Sequence, residues 1–280
     1  MKQLIIKAAL AAMLIMPITA SADLFEAART GQTDKLIALL DAGTDVNNRN
    51  SYIYTPLHLA ARQGNAKAIG VFLKAGAEVN SQSEYGYTPL HLAARHGNTK
   101  AITALLDAGA EVNSQSEFGY IPLHLAAWHD NAKAIGVLLK AGAEVNSQSE
   151  NGYTALHEAA KHNAIDAIDI LLKAGADIHK RDQAGYTPLH DAAKFNAIDA
   201  IDILLDAGAD IHKRDQAGYT ALHLAAWHGN AKAITALLDA GADANITTLS
   251  QHLKPLDLIE IESPIYKTPI WWRLFDAGFN

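Results

Sequence analysis

His157-Glu158-Ala159-Ala160-Lys161-His162 holds two imidazoles five positions apart with a carboxylate after the first. That is one step from the helical zinc pattern, in which two histidines four apart bind the metal and the glutamate activates water. The chain has 13 histidines and no cysteine, so metal ligation, proton transfer and structural hydrogen bonding are the chemistries open to them. The spacing decides against zinc here. Five residues of helix turn through about 500°, leaving the two rings roughly 140° apart in azimuth, and no third ligand is spaced to help. The near-match arises where a leucine found at the same place elsewhere has become Glu158. There is no nucleophile at a strained elbow, no Gly-rich phosphate loop and no paired-carboxylate setting. No catalytic residue, metal or cofactor is expected, and the chain does not read as an enzyme.

The elements that carry these histidines recur. Thr55-Pro56-Leu57-His58-Leu59-Ala60-Ala61 returns as Thr88-Pro89-Leu90-His91-Leu92-Ala93-Ala94, then at Ile121-Pro122-Leu123-His124, Thr154-Ala155-Leu156-His157, Thr187-Pro188-Leu189-His190 and Thr220-Ala221-Leu222-His223. The step is 33 residues throughout, and Gly43, Gly76, Gly109, Gly142, Gly175, Gly208 and Gly241 keep the same beat. Proline after threonine suits the first turn of a helix. Gly97-Asn98 ends that helix, and Ala101, Ile102, Leu105 and Leu106 give a second, amphipathic one. Gly109 follows its end, where a left-handed residue is favoured. The polar run from Glu111 to Tyr120 makes an extended turn with Gly119 near its tip. Ile53 replaces that glycine in the first such turn, and a β-branched residue resists positive φ, so this turn is expected to differ in shape. One unit cannot bury its own apolar face; stacked units can.

The period and the Thr-Pro-Leu-His-x-Ala signature closely resemble the ankyrin repeat family. The resemblance covers nearly all the chain after residue 22 and implies an all-α solenoid of stacked helix-turn-helix units joined by β-turn or hairpin loops. The expected organisation is a signal peptide at 1–22, an N-terminal capping repeat at 23–54, six full repeats at 55–246 and a degenerate C-terminal capping repeat at 247–280. In that last segment Lys254-Pro255-Leu256-Asp257-Leu258 and Trp271-Trp272-Arg273-Leu274-Phe275-Asp276-Ala277-Gly278 echo the motif out of register.

The resemblance implies a structural role for the first histidine column, His58, His91, His124, His157, His190 and His223. A neutral imidazole donates and accepts at once, so it can bond a loop group and a helix-start group together. The second column, His96, His129, His162 and His228, shares its register with Gln63 and Phe195. Two readings stay open for it: a polar helix end that favours a partly protonated histidine, or a ligand contact.

Ankyrin proteins commonly bind other proteins along a concave face of turn tips and first-helix ends. Carried over by position, the turn group is Tyr52, Tyr54, Tyr85, Tyr87, Phe118, Tyr120, Tyr153, Tyr186 and Tyr219. The helix-end group is Arg62, Arg95, His96, Trp128, His129, His162, Phe195, Trp227 and His228. Most of the chain's aromatic side chains fall at these positions. Tyr, Trp and Arg anchor protein interfaces, but a tyrosine before each threonine can equally be a packing ladder between turns. Identical stretches, such as residues 163–172 and 196–205, point to recent copying, so repetition alone is weak evidence of selection.

The remaining observations bound the setting. Lys2 and Lys7, an apolar run from Ala8 to Met16, Pro17 and Ala20-Ser21-Ala22 form a secretory signal, which places the chain in the periplasm or outside the cell with its first residue at Asp23. Without cysteine, stability must come from burial. The chain has 23 basic and 30 acidic side chains, a net charge of −7, which disfavours nucleic acid and anionic membrane surfaces. No later stretch is long enough to span a bilayer. The expected protein is a monomeric binding module for another protein. The alternatives are a passive structural component, or a metal or small-molecule sensor using the surface histidines.

Overall fold

The computed structural model describes residues 20–278. The expected signal peptide therefore lies outside the described residues except for Ala20, Ser21 and Ala22, which belong to the first helix, α1, described over 20–30. Short helices then follow in pairs, one pair for each 33-residue step from α3 onward. After α2 (Thr33–Asp41), the first helices of the six full repeats are α3 (Pro56–Gln63), α5 (Pro89–Arg95), α7 (Pro122–Trp128), α9 (Ala155–Lys161), α11 (Pro188–Lys194) and α13 (Ala221–Trp227). The second helices are α4 (Ala66–Lys74), α6 (Thr99–Asp107), α8 (Ala132–Lys140), α10 (Ile165–Lys173), α12 (Ile198–Asp206) and α14 (Ala231–Asp239). A 3-10 turn (Pro255–Leu258) and α15 (Pro269–Ala277) complete the described chain, and no strand occurs among the described residues.

Each first helix packs on the next first helix, and each second helix on the next second helix, so two layers run side by side. The core lies between them. Leu90, Ala93, Ala94, Ile102 and Leu105 are fully buried, as are their counterparts in each repeat. Alanine at the paired positions keeps the first helices close, while Ile and Leu of the second helices fill the wider gap. At the end of the array the 3-10 turn covers α13, and α15 covers α14, burying Ile259, Ile265 and Leu274.

Asparagines tie neighbouring repeats together at the loop between the helices. Asn98 Nδ2 donates to the carbonyls of Ala61 and Arg62, 3.1 and 2.8 Å away, in the preceding repeat. Both lie in the last turn of α3, whose carbonyls the helix ladder does not fully use; Ala61 O also accepts from Gly64 N at 3.1 Å. A Cβ on Gly64 would stand 2.7 Å from Asn98 Oδ1, so the glycine makes room for its neighbour's asparagine. Where the asparagine becomes Ala164, the residue opposite is Asp130 at φ 53, and its carboxylate accepts from Ala167 N instead, at 2.8 Å.

The first turn tip contradicts the expectation from Ile53. Ile53 takes φ 60, in the left-handed region that the tip glycines also occupy, and the turn keeps the common pattern. Ile53 N donates to Asn50 O at 2.9 Å and Asn50 N to Tyr54 O at 3.0 Å, as Gly86 N does to Ser83 O and Ser83 N to Tyr87 O. Asn50 Oδ1 adds bonds from Tyr52 N and Tyr54 N, both 3.0 Å. This set of bonds outweighs the torsional preference of isoleucine. A trace of the conflict survives: Glu84 N to Tyr52 O, the bond to the next tip, is 3.5 Å, against 3.0 Å for Glu117 N to Tyr85 O. Left-handed strain in a non-glycine residue costs of order 1–3 kcal/mol. Ile53→Gly is expected to stabilise the protein by about 1 kcal/mol, read as a higher melting midpoint; an unchanged or lower midpoint would show the turn to be unstrained.

Candidate binding face

The first histidine column is fully committed to the fold. In the second full repeat His91 Nδ1 accepts from Thr88 N at 3.1 Å, with Thr88 Oγ1 at 2.9 Å. Its Nε2–H donates to Tyr120 O of the next repeat at 2.8 Å. His58, His157 and His190 repeat this with Tyr87, Tyr186 and Tyr219, and His223 with Leu253. His124 keeps the bonds to Ile121 N and Tyr153 O but lacks a hydroxyl, because isoleucine replaces threonine. Each ring is thus a neutral Nε2–H tautomer joining two repeats. Burial lowers the pKa of His58, His91, His124, His157 and His190 to about 4. His157 has no nitrogen free for a metal, and among the described residues no three His, Cys, Asp or Glu side chains form a candidate metal site.

The tyrosines before each threonine, from Tyr54 to Tyr219, are half-buried. Their rings lie 5.3–5.9 Å from the histidine of the same repeat. Tyr54, Tyr87, Tyr120, Tyr153, Tyr186 and Tyr219 therefore brace the histidines, whatever else their outer edges meet. The turn tips and helix ends differ. Tyr52, Tyr85, Phe118, Trp128, Phe195 and Trp227 are all exposed, Tyr52 most at 64% and Trp128 least at 37%. Trp227 leans on Tyr219 at 5.6 Å, and Trp128 stacks on His162 at 4.7 Å and on His129 at 5.9 Å. Arg62 and Arg95 are exposed at the same helix-end position.

The second histidine column sits at the first-helix ends, exposed. His162 and His228 each place Nδ1 3.0 Å from the carbonyl four residues back. Partial burial, then Arg62 and Arg95, lower the pKa of His96; burial, then Arg95, lowers that of His129. Both shifts run against a helix end that favours the protonated ring, and the first cause of each is burial.

The centre of this face holds a feature the periodicity did not bring out. Leu92 and Leu125 are buried on α5 and α7, and Leu224 on α13, but the same position is Glu158 on α9 and Asp191 on α11, both fully buried. Tyr120 Oη donates to Glu158 Oε1 at 2.8 Å. Glu158 Oε2 and Asp191 Oδ2 have no hydrogen-bond partner among the described residues; His162 Nδ1 is 3.7 Å from the former. Burial and the charges of Asp182 and Glu158 hold the Asp191 carboxyl well above the usual range, against the pull of Lys161 and Lys194. Two consecutive departures from a leucine column were the available signal.

A family model described as ankyrin repeats, in three copies, matches residues 24–116, 108–182 and 174–248. No curated protein matches the chain. Ankyrin repeats are generally protein–protein interaction modules, and no described helix is long and apolar enough to cross a membrane. With paired helices stacking in two layers, a histidine joining each repeat to the next and the family match running from residue 24 to 248, the chain belongs to the ankyrin repeat family.

Proposed function

We propose that this chain is an exported module that seats a partner protein on the concave face made by its turn tips and first-helix ends. The observation that carries this reading is the gathering of exposed aromatic rings on two columns of that face: Tyr52, Tyr85 and Phe118 at the tips, and Trp128, Phe195 and Trp227 at the helix ends. Such rings offer large contact area at little entropic cost. Export rests on the basic start, apolar run and Ala-x-Ala site. Cleavage after Ala22 would retain the Asp23–Lys35 ion pair and the buried Leu24. Intact mass of protein from the exported fraction checks it; a chain retaining Met1 would refute the cleavage.

The test of binding sets two columns against each other, using the partner recovered by a crosslinked pull-down from that fraction. Trp227→Ala and Trp128→Ala are expected to weaken the complex by about 2 kcal/mol or more each. Their effect on stability is expected to be about 1 kcal/mol, the ring contacts being partial. His124→Ala is expected to do the reverse. It leaves Ile121 N and Tyr153 O unpaired, at roughly 1–3 kcal/mol of stability, while the face keeps its side chains. If Trp227→Ala lowers the melting midpoint as far as His124→Ala and leaves affinity unchanged, the helix-end aromatics are packing and the face is assigned wrongly.

A further inference from the structure

Three rings and an ammonium group meet at the centre of the face. Lys161 Nζ stands 5.1 Å from the Phe195 ring centroid, 5.7 Å from Tyr153 and 5.9 Å from Trp128. Those rings come from the third, fourth and fifth full repeats, so the cage exists only once the repeats stack. Ring faces attract a cation, more strongly where water is excluded. The lysine is no requirement of the repeat, since the same position is Trp128 one repeat earlier and Trp227 two repeats later.

Beside the cage lie the two carboxylates that have displaced leucine. His162 stacks on Trp128 and reaches within 3.7 Å of Glu158 Oε2, joining cage and carboxylate. A buried carboxylate oxygen without a donor is costly unless a cation or a proton compensates. Lys161 and Lys194 are the near cations. Lys161 is held over its rings, Lys194 over Tyr186 and Phe195 at 5.3 and 5.7 Å, and neither forms an ion pair with Glu158 or Asp191 among the described residues. Aromatic faces and unpaired carboxylate oxygens select the same kind of guest.

We propose that this is a pocket for the ammonium group of a lysine side chain on the partner polypeptide, and that Lys161 is its resident occupant until the partner arrives. The proposal deepens the binding reading and rests on it. The partner segment is basic. The net charge of −7 and the exposed Glu84, Glu117 and Glu150 at the neighbouring turn tips draw such a segment in. Binding exchanges one ammonium for another in the cage and frees Lys161 to the solvent.

The probe is hexalysine, titrated at physiological salt while the indole N–H resonance of Trp128 is followed, identified by its loss in Trp128→Phe. A saturable shift is expected. Lys161→Ala empties the cage and is expected to tighten binding roughly tenfold, whereas Lys133→Ala, which removes an equal charge from an exposed site on α8, changes it less than twofold. Glu158→Leu with Asp191→Leu restores the residue of the other repeats, keeps the fold, and is expected to weaken binding tenfold or more. No saturable shift, a shift indifferent to the double leucine variant, weaker binding by Lys161→Ala, or a shift produced by hexaglutamate instead would each overturn the pocket. Should Trp227→Ala weaken the recovered partner while hexalysine fails, the binding face stands and the pocket alone falls.

Discussion

Acidification from pH 6.5 to 4.5 will unfold this protein cooperatively, with a net uptake of protons. Five histidines, His58, His91, His124, His157 and His190, titrate at about 4 in the folded state because burial penalises the imidazolium. In the unfolded chain they titrate near 6.5. Between these values the unfolded state binds more protons, so stability rises with pH. The contribution is fully present above 6.5 and is lost as the pH falls toward 4. Each gap corresponds to roughly 3 kcal/mol, and five together rival the 5–15 kcal/mol that typically holds a domain folded. The geometry agrees. Protonating Nδ1 would turn an acceptor into a donor facing the backbone N–H of Thr88 or its equivalents. Asp191 and Asp182, whose carboxyl pKa values burial raises, act in the opposite sense, but they are two groups against five. Thermal melts at half-unit pH steps measure the effect, and the slope of unfolding free energy against pH counts the protons. A midpoint level from pH 7 to 4.5 would show that the histidine column is not a set of buried acceptors.

Removal of Leu253 to Asn280 will destabilise the array and cause it to associate. The segment ends the two layers rather than extending them. Leu253 supplies the carbonyl for His223 Nε2 at 3.1 Å, the place held by a tyrosine carbonyl in every earlier repeat. Ile259, Ile265 and Leu274 are buried in a segment whose 3-10 turn packs on α13 and whose α15 packs on α14, at about 1.5–3 kcal/mol for each large apolar side chain removed from water. The total is roughly 5 kcal/mol, and the newly open ends of the layers, around Leu222, Ile234 and Leu237, present an apolar surface for a second chain. Light scattering and a melting curve on the truncated protein are the measurements. Trp272→Ala serves as the contrast: half-exposed at 50%, it is expected to leave the midpoint nearly unchanged. A truncated chain that stays monomeric and melts like the full one would show that residues 253–278 cover nothing.

The contents of each repeat were legible in the sequence because they rest on local rules. Thr-Pro starts a helix, glycine ends one, and apolar residues at helical spacing choose the inner face. Those rules placed α3 to α14 and the structural histidines, and they excluded zinc at His157 and His162 from helical azimuth alone. What they left out is whatever depends on the residue one repeat away. Isoleucine's own preference spoke against positive φ at Ile53, but the hydrogen bonds of the assembled turn prevailed. Glu158 read as a spoiled metal motif; only stacking places it beside Asp191, in a column where α5, α7 and α13 bury leucine. The exchange of Gly64–Asn98 for Asp130–Ala164 is invisible in either repeat taken singly. Lys161, Trp128, Tyr153 and Phe195 carry no spacing that suggests a cage. The sequence by itself determined the repeating unit, because helix starts, helix ends and apolar faces are settled within a few residues of chain. Only the tertiary structure decided which side chains meet across the seams, because those contacts lie between residues about 33 positions apart and depend on the distance at which one repeat settles on the next.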